Sequence, residues 1–210
     1  MNTARIAELL QPFTQPGAVS PSVLEQLQRY LDLLLRWNAR MNLTAVREPE
    51  QIVVRHFGES LFAARVLLEG STSTPATLAD LGSGAGFPGI PIKLYAPEID
   101  LTLIESQPKK ATFLRETVRA LNLDRAAVFC GRAEQWGKTA EVVTLRAVER
   151  FEEVLPVAAG LVAPGGKLCL LVGSAQLPTA QRALGSGWKW SAPENVPQSM
   201  ARMVVSGQRA

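Results

Sequence analysis

Apolar residues recur along the first third of the chain at the spacing of one helix face. In "SVLEQLQRYLDLLLRW", Leu24, Leu27, Leu31, Leu34 and Leu35 share one side of a 3.6-residue turn, and Ser22 followed by Glu25 reads as a capping-box start. A second helix is predicted from Glu50 to Glu69, with Gly70 as its stop and with an interior glycine, Gly58, that costs about 1 kcal/mol relative to alanine. After "GSTSTPAT" (70–77), which reads as a linker, the pattern changes. Short apolar or β-branched runs, "ATLADL", "DLTLIE", "AAVFC", "EVVTL" and "KLCLLVG", alternate with helical segments such as "PKKATFLRETVRALNL" and "RFEEVLPVAAGLVAPGG". Such alternation predicts βαβ units and a doubly wound, mostly parallel α/β sheet. "WKWSAPENVPQSMARMVVSGQ" predicts an antiparallel edge hairpin. The expected organisation is a helical extension over 1–74 packed on a main domain over 75–210.

Composition narrows this picture. A 210-residue chain with 47% hydrophobic residues can bury one substantial core. No leader pattern opens it and no apolar run reaches the roughly 20 residues of a membrane span, so a soluble, cytoplasmic protein is expected, and a monomer. Cys130 and Cys169 each sit in an apolar run and read as buried, reduced thiols, and with one histidine, His56, no metal site is expected. A net charge of +3 permits a polyanionic partner without requiring one.

The chemistry starts at "LADLGSGAGFPG" (78–89), a glycine-rich turn directly after a strand. Glycines there let main-chain N–H groups approach a ligand at a helix N-terminus, at the switch point of the sheet. Two cofactors compete. "GAGFPG" satisfies the dinucleotide pattern, but that register leaves Gly82 and Ser83 over and puts Pro88 inside the turn. Starting at Gly82 gives "DLGSGAG", with glycines at 82, 84 and 86, the first motif of S-adenosylmethionine methyltransferases. Glu105 ends the next strand and suits a ribose diol in either family. Glu134 in "GRAEQW" follows the third strand, where methyltransferases meet the adenine amine. Each residue has a plainer account: Asp80 as a turn cap, Glu105 paired with Lys109 or Lys110, Glu134 as a loop acid. Their fall at three successive strand ends favours S-adenosylmethionine over a nicotinamide.

The acceptor is narrowed by absences. Pyrimidine C5 requires a cysteine nucleophile, and exocyclic amines an Asn/Asp-Pro-Pro-aromatic tetrad; this chain has neither motif. Acceptors with their own lone pair, such as guanine N7, need no deprotonation. "RWNARMNLT" (36–44), "RHFGESL" (55–61), "DLGSGAGFPGIPIKLYAPE" (80–98), "LIESQPKKATFLRE" (103–116) and "LRAVE" (145–149) together closely resemble the small-subunit ribosomal RNA methyltransferase G family, also called glucose-inhibited division protein B, collinearly over about residues 20–207. The resemblance implies the seven-strand, Rossmann-like methyltransferase fold with a helical N-terminal extension. It also implies N7-methylation of a guanine in the 530 loop of 16S rRNA, with the rRNA or the small ribosomal subunit as partner. Carried over by position, the cofactor contacts are Gly82, Phe87, Ala133, Glu134 and Arg146, with Gly84 and Gly86 admitting the cofactor and Glu105 at the ribose. The chain departs from the family pattern at Glu59 and Glu105, where aspartate is usual, at Gln107, and at Val172, where a lysine is typical. The alternatives are a methyltransferase of another RNA, a protein or a small molecule and, more distantly, a nicotinamide dehydrogenase or a non-catalytic RNA-binding module.

Arg146 ends the fourth strand, where the base should enter. Its guanidinium suits the cofactor or the guanine O6 edge, the alternative being an ion pair with Glu141 or Glu149. His56 reads as a packing histidine, since N7 chemistry requires no base. Pro88 and Pro91 read as shaping the first helical turn after the loop. Arg29 and Arg36 follow Glu25 and Asp32 by four and read as intrahelical pairs. Arg40, Arg47, Arg55, Lys109, Lys110 and Arg115 remain as the RNA-contact set.

Overall fold

The computed structural model describes residues 1–69, 74–146 and 150–210. Ser20 caps α2 (Pro21–Asn38): its side chain accepts the Val23 N–H, and Pro21 occupies the first turn. The cap is therefore Ser20, not Ser22, because proline fixes φ where the helix starts and gives up no needed donor. Leu27, Tyr30, Leu31 and Leu34 turn inward from α2. Arg29 and Arg36 do not make the expected ion pairs. Their Nε groups donate to the backbone carbonyls of Glu25 and Asp32, at 3.5 and 3.4 Å.

The second expected helix is three pieces: α3 (Pro49–Ile52), a π-helical segment (Val53–Gly58) and α4 (Glu59–Leu68). Its predicted stop, Gly70, lies outside the described residues, as does the 70–73 part of the linker. Gly58 has a packing reason, since a Cβ there would lie 2.6 Å from the Phe13 ring. Phe13 follows α1 (Thr3–Leu10), a helix the spacing did not suggest; α8 (Gln176–Leu184) is another.

The sheet strands are β1 (Thr77–Leu81), β2 (Asp100–Glu105), β3 (Ala126–Cys130), β4 (Ala140–Arg146), β5 (Val162–Gly173), β6 (Trp188–Trp190), β7 (Glu194–Asn195) and β8 (Arg202–Arg209). They lie in the order β3-β2-β1-β4-β5-β8-β6, with the two-residue β7 also on β8. The first five pair in parallel through α5 (Gly89–Tyr95), α6 (Pro108–Ala120) and α7 (Phe151–Gly160), while β8 is antiparallel to both its neighbours. The C-terminal hairpin thus folds back on itself, with β8 inside the sheet and β6 at the edge. One core joins α1, α2, the π segment and α4 to α5, α6 and one sheet face; a second lies under α7 and α8. Cys169 is buried as expected, but Cys130 ends β3 at the sheet edge and is exposed. Among the described residues, no helix is long and apolar enough to cross a membrane.

This order makes β1 and β4 the switch point, from which the chain runs outward in both directions. The glycine turn follows the carboxyl end of β1, and Arg146 closes that of β4.

Candidate functional site

After Leu81 the chain turns through Gly82 (φ 68°), Gly84 (φ 56°) and Gly86 (φ 91°), the left-handed region that side chains resist. The turn is tied to β2: the Gly82 and Ser83 N–H groups donate to the Ile104 carbonyl at 2.9 and 3.1 Å. The Glu105 carboxylate accepts from the Gly84 N–H at 2.9 Å and the Gln107 N–H at 2.8 Å. It thus makes backbone contacts rather than pairing with Lys109 or Lys110. Two carboxylate oxygens offer about four acceptor sites, so lone pairs remain for a ligand.

Asp80 is wholly buried. Its Oδ1 accepts from Thr144 Oγ1 at 2.7 Å, and its Oδ2 from the Gly89 N–H at 3.2 Å, tying β1 to β4 and to the start of α5. Burial pushes its pKa up to about 6, against the pull of those hydrogen bonds. Gly89, the last glycine of the literal dinucleotide pattern, is there for packing: a Cβ would stand 2.8 Å from that of Asp80.

Gly82, Glu105, Lys110, Ala133 and Glu134 line one cleft of about 580 Å³ that opens along the carboxyl ends of β1, β2 and β3. The volume suits a cofactor-sized ligand. Ala133 and Glu134 enter on a short 3₁₀ turn (Ala133–Gln135), Ala133 buried and Glu134 exposed. Gly84, Gly86, Phe87 and Arg146 do not line the cleft. Gly86 packs under it, where a Cβ would lie 2.5 Å from both the Tyr30 hydroxyl and Ile90. Phe87 is buried against His56 and Tyr30, with ring centroids 4.8 and 5.4 Å away. The Tyr30 hydroxyl donates to the Ala85 carbonyl, so α2 holds the glycine turn directly.

Arg146 reaches into the N-terminal helices. Its Nη2 lies 2.6 Å from the Arg55 carbonyl, 3.0 Å from Glu59 Oε2 and 3.1 Å from His56 Nδ1, and its ring-facing side lies 5.9 Å from the Phe87 centroid. Its ion partner is Glu59, not Glu141, whose Oε2 accepts the Ala76 N–H; Glu149 lies outside the described residues. Glu59 is 3% exposed and holds a second cation, Arg202 of β8, at 2.5 Å through Oε1. Burial pushes the Glu59 carboxyl up, and the guanidinium groups of Arg146, Arg202 and Arg55 pull it back. Because a guanidinium only donates, His56 Nδ1 must accept, leaving Nε2–H to donate to Thr44 Oγ1 at 2.7 Å. Burial and the nearby Arg146 hold the His56 pKa down to about 3, which fits that neutral tautomer. The packing account of His56 holds, and it includes Arg146. Asn38 completes the assembly by accepting the Leu43 and Thr44 N–H groups at 2.9 and 3.0 Å, which gives the "WN…NLT" run its structural sense.

The basic set divides. Arg55 lies beside this cluster through its carbonyl, and Lys110 on the cleft wall. Arg40 and Lys109 are exposed near the facing ends of α2 and α6, whose antiparallel packing is marked by the Gln26–Leu121 bond and the Trp37–Phe113 contact. Arg47 is not partnerless, as it donates to the Asn38 carbonyl and Asn42 Oδ1. Arg115 is the outlier, lining a separate hollow with Asn122 and Leu123 at the other end of α6. Sequence reasoning missed Tyr30, Thr44 and Arg202. An acid in the apolar run "GESLFAA" was the one signal that a buried cation faced it.

Comparison with known proteins agrees with this geometry. A family model described as rRNA small subunit methyltransferase G matches residues 23–187. "Ribosomal RNA small subunit methyltransferase G" of Xanthomonas campestris pv. campestris is 42% identical over 166 residues, which cover 78% of this chain and 74% of that protein. The protein of the same name from Chloroflexus aggregans is 37% identical, over 97% of this chain and 89% of its own. Among solved structures, M. jannaschii TYW2 in complex with AdoMet superposes with a TM-score of 0.55 at 15% identity, over 72% of this chain and 75% of that one, a likeness of fold.

Proposed function

The chain belongs to the rRNA small subunit methyltransferase G family, and from that premise we propose that it methylates N7 of a guanine in the 530 loop of 16S rRNA, with S-adenosylmethionine as methyl donor. One observation carries the cofactor half of this reading: Gly82, Glu105 and the Ala133–Glu134 turn, from three successive strand ends, meet in a single cleft. The residues present fit the group. An exposed glycine admits close backbone approach, the Glu105 carboxylate keeps lone pairs for a ribose diol, and a buried alanine beside an acid suits an adenine face and its amine.

Held by Gly82, Glu105 and the Ala133–Glu134 turn, S-adenosylmethionine would supply an electrophilic methyl group, its C–S bond breaking as guanine N7 bonds the carbon and the positive charge passing from sulfur to the purine. No proton leaves N7, and the side chains are consistent with that. His56 is locked neutral between Arg146 and Thr44, and the Cys169 thiol is pushed up to about 12 by burial. What the protein contributes is alignment, which is worth about 7–11 kcal/mol when two reactants are held in line. Arg146, anchored by Glu59 at the end of β4 and beside Phe87, is the group that orients the incoming base against the cofactor cleft. Arg40, Arg47, Arg55, Lys109 and Lys110, from the helical front and the start of α6, supply phosphate contacts.

Reduction and aniline cleavage of 16S rRNA tests this. Cleavage at the 530-loop guanine should vanish in a strain lacking the gene, return with the wild-type gene, and stay absent with Gly82→Asp. Persistent cleavage in the deletion strain would overturn the reading.

A further inference from the structure

The cleft lies at the carboxyl ends of β1, β2 and β3 with the first turns of α7 on its wall, and the same edge of the sheet continues beside it over β4, β5 and the start of β8. That rim carries a feature the proposed mechanism leaves unused. Met200 is a fully exposed large hydrophobic side chain, the only one of its kind among the described residues. It stands on a turn that is firmly built. Gln198 adopts φ 58°, the Ser199 N–H donates to the Val196 carbonyl at 3.2 Å, and Ser199 Oγ accepts the Arg202 N–H at 3.2 Å. The Ser174 N–H donates to the Ala201 carbonyl at 3.0 Å, fixing the turn to the carboxyl end of β5. Two residues on, Arg202 binds Glu59, which binds Arg146. The apolar tip is therefore held at the mouth of the acceptor side, next to a half-exposed arginine, with the exposed Arg55 in the same cluster.

We propose that Met200 is a substrate-contacting residue that packs against a nucleobase flanking the methylated guanine, occupying the stacking position the guanine leaves when it turns towards the cofactor cleft. This rests on the rRNA reading above. The N7 lone pair lies in the base plane on the major-groove edge, which an RNA helix keeps deep and narrow, so a guanine turned out of the stack presents it to the methyl carbon without that barrier. Apolar side chains, methionine among them, wedge between base steps, and the neighbouring guanidinium groups of Arg202 and Arg55 match the phosphates on either side. The partner this surface fits is thus an unpaired RNA segment.

The test compares the full-length wild type with Met200→Asp and Met200→Leu, on small ribosomal subunits and on free 16S rRNA from a strain lacking the N7-methylguanine. Initial methylation rates are read against RNA concentration, with S-adenosylmethionine affinity by calorimetry and melting temperature alongside. Met200→Asp should raise KM for RNA about tenfold, within the range that contact with one base is worth. Cofactor affinity and melting temperature should stay at wild-type values, and Met200→Leu should remain within about twofold of wild type. Met200→Asp with an unchanged KM for RNA overturns the proposal, as does a defect that appears equally in cofactor affinity or melting temperature. If the wild type itself methylates neither RNA, the functional reading fails first and takes this inference with it.

Discussion

On the β1–β3 side of the carboxyl edge the chain offers a ligand mostly backbone: a turn of positive-φ glycines, a carboxylate tied to two main-chain N–H groups, and a 3₁₀ turn with a buried alanine. Across the switch point it offers side chains brought from far apart: His56 and Glu59 from the helical front, Arg146 from β4 and Arg202 from β8. The first side is open and shaped by local sequence. The second is shaped by tertiary packing: Glu59 anchors both guanidinium groups, Arg146 nearly buried and Arg202 partly exposed. The two sides should therefore fail differently when altered, the cleft by losing ligand and the cluster by losing stability.

The largest expected effect comes from Glu59→Ala. It leaves Arg146, whose side chain is 10% exposed, and Arg202 without their shared carboxylate. Removing one partner of a buried pair costs about 3–5 kcal/mol. Urea denaturation should show a loss of that size, while the folded fraction keeps its affinity for S-adenosylmethionine. A variant as stable as wild type would mean that the cluster holds nothing together.

Two buried groups either side of the switch point give the next effect, and they oppose each other. His56 has its pKa depressed to about 3, so the unfolded chain takes up the proton first; its contribution is complete above about pH 6.5 and is lost as pH falls towards 3. Asp80 has its pKa raised to about 6, so its contribution is greatest below the ordinary carboxylate pKa and is lost as pH rises through 6. Between pH 7 and pH 4 the first loses roughly 3 kcal/mol and the second gains roughly 2 kcal/mol. Relative to wild type, the stability of His56→Gln should therefore rise by about the first amount on acidification, and that of Asp80→Asn should fall by about the second. Denaturation midpoints at several pH values decide it; parallel curves for all three proteins would refute the opposed titrations.

The same contrast explains what could be read from the sequence. The cleft was legible because its parts are local: "DLGSGAG", the acid ending "DLTLIE" and "GRAEQW" each close a strand, and parallel strand ends lie on one edge whatever the loops between them do. The cluster was not, because no periodicity pairs Glu59 with Arg146 and Arg202, which lie 87 and 143 positions further along the chain. Arg146 was given a ligand-facing role by its strand-end address alone. Its partner turned out to be the residue that had stood out only as longer than the usual aspartate. Ser22 and Cys130 were misplaced for smaller reasons. A proline one residue earlier moves a cap, and a strand's apolar run says nothing of whether it lies at the edge of the sheet.

Glu105→Gln probes the cleft side. The amide keeps one acceptor oxygen, enough for one of the Gly84 and Gln107 N–H groups, and loses the charge and half of the lone pairs that a diol would share. Cofactor affinity should fall about tenfold, or about 1.4 kcal/mol, with the unfolding free energy within about 1 kcal/mol of wild type. Set beside Glu59→Ala, this is a double dissociation between the two sides. It collapses if Glu105→Gln lowers stability as much as it lowers affinity.

The smallest effect separates the cations the sequence grouped together. Arg55 belongs to the acceptor rim, whereas Arg115 lies seven residues past the start of α6, about 10 Å along the axis, in a hollow with Asn122 and Leu123. A phosphate contact releases counterions, so losing one should lower the slope of log affinity against log salt by about 0.7 on single-stranded RNA. Arg55→Ala should show that change in RNA-binding titrations between low and moderate salt, and Arg115→Ala should keep the wild-type slope. Equal slopes for the two variants, both reduced, would extend the RNA footprint down α6 and away from the rim. The reach of the acceptor side would then be set by charge on the helix surface, and the β4–β8 edge would be only part of it.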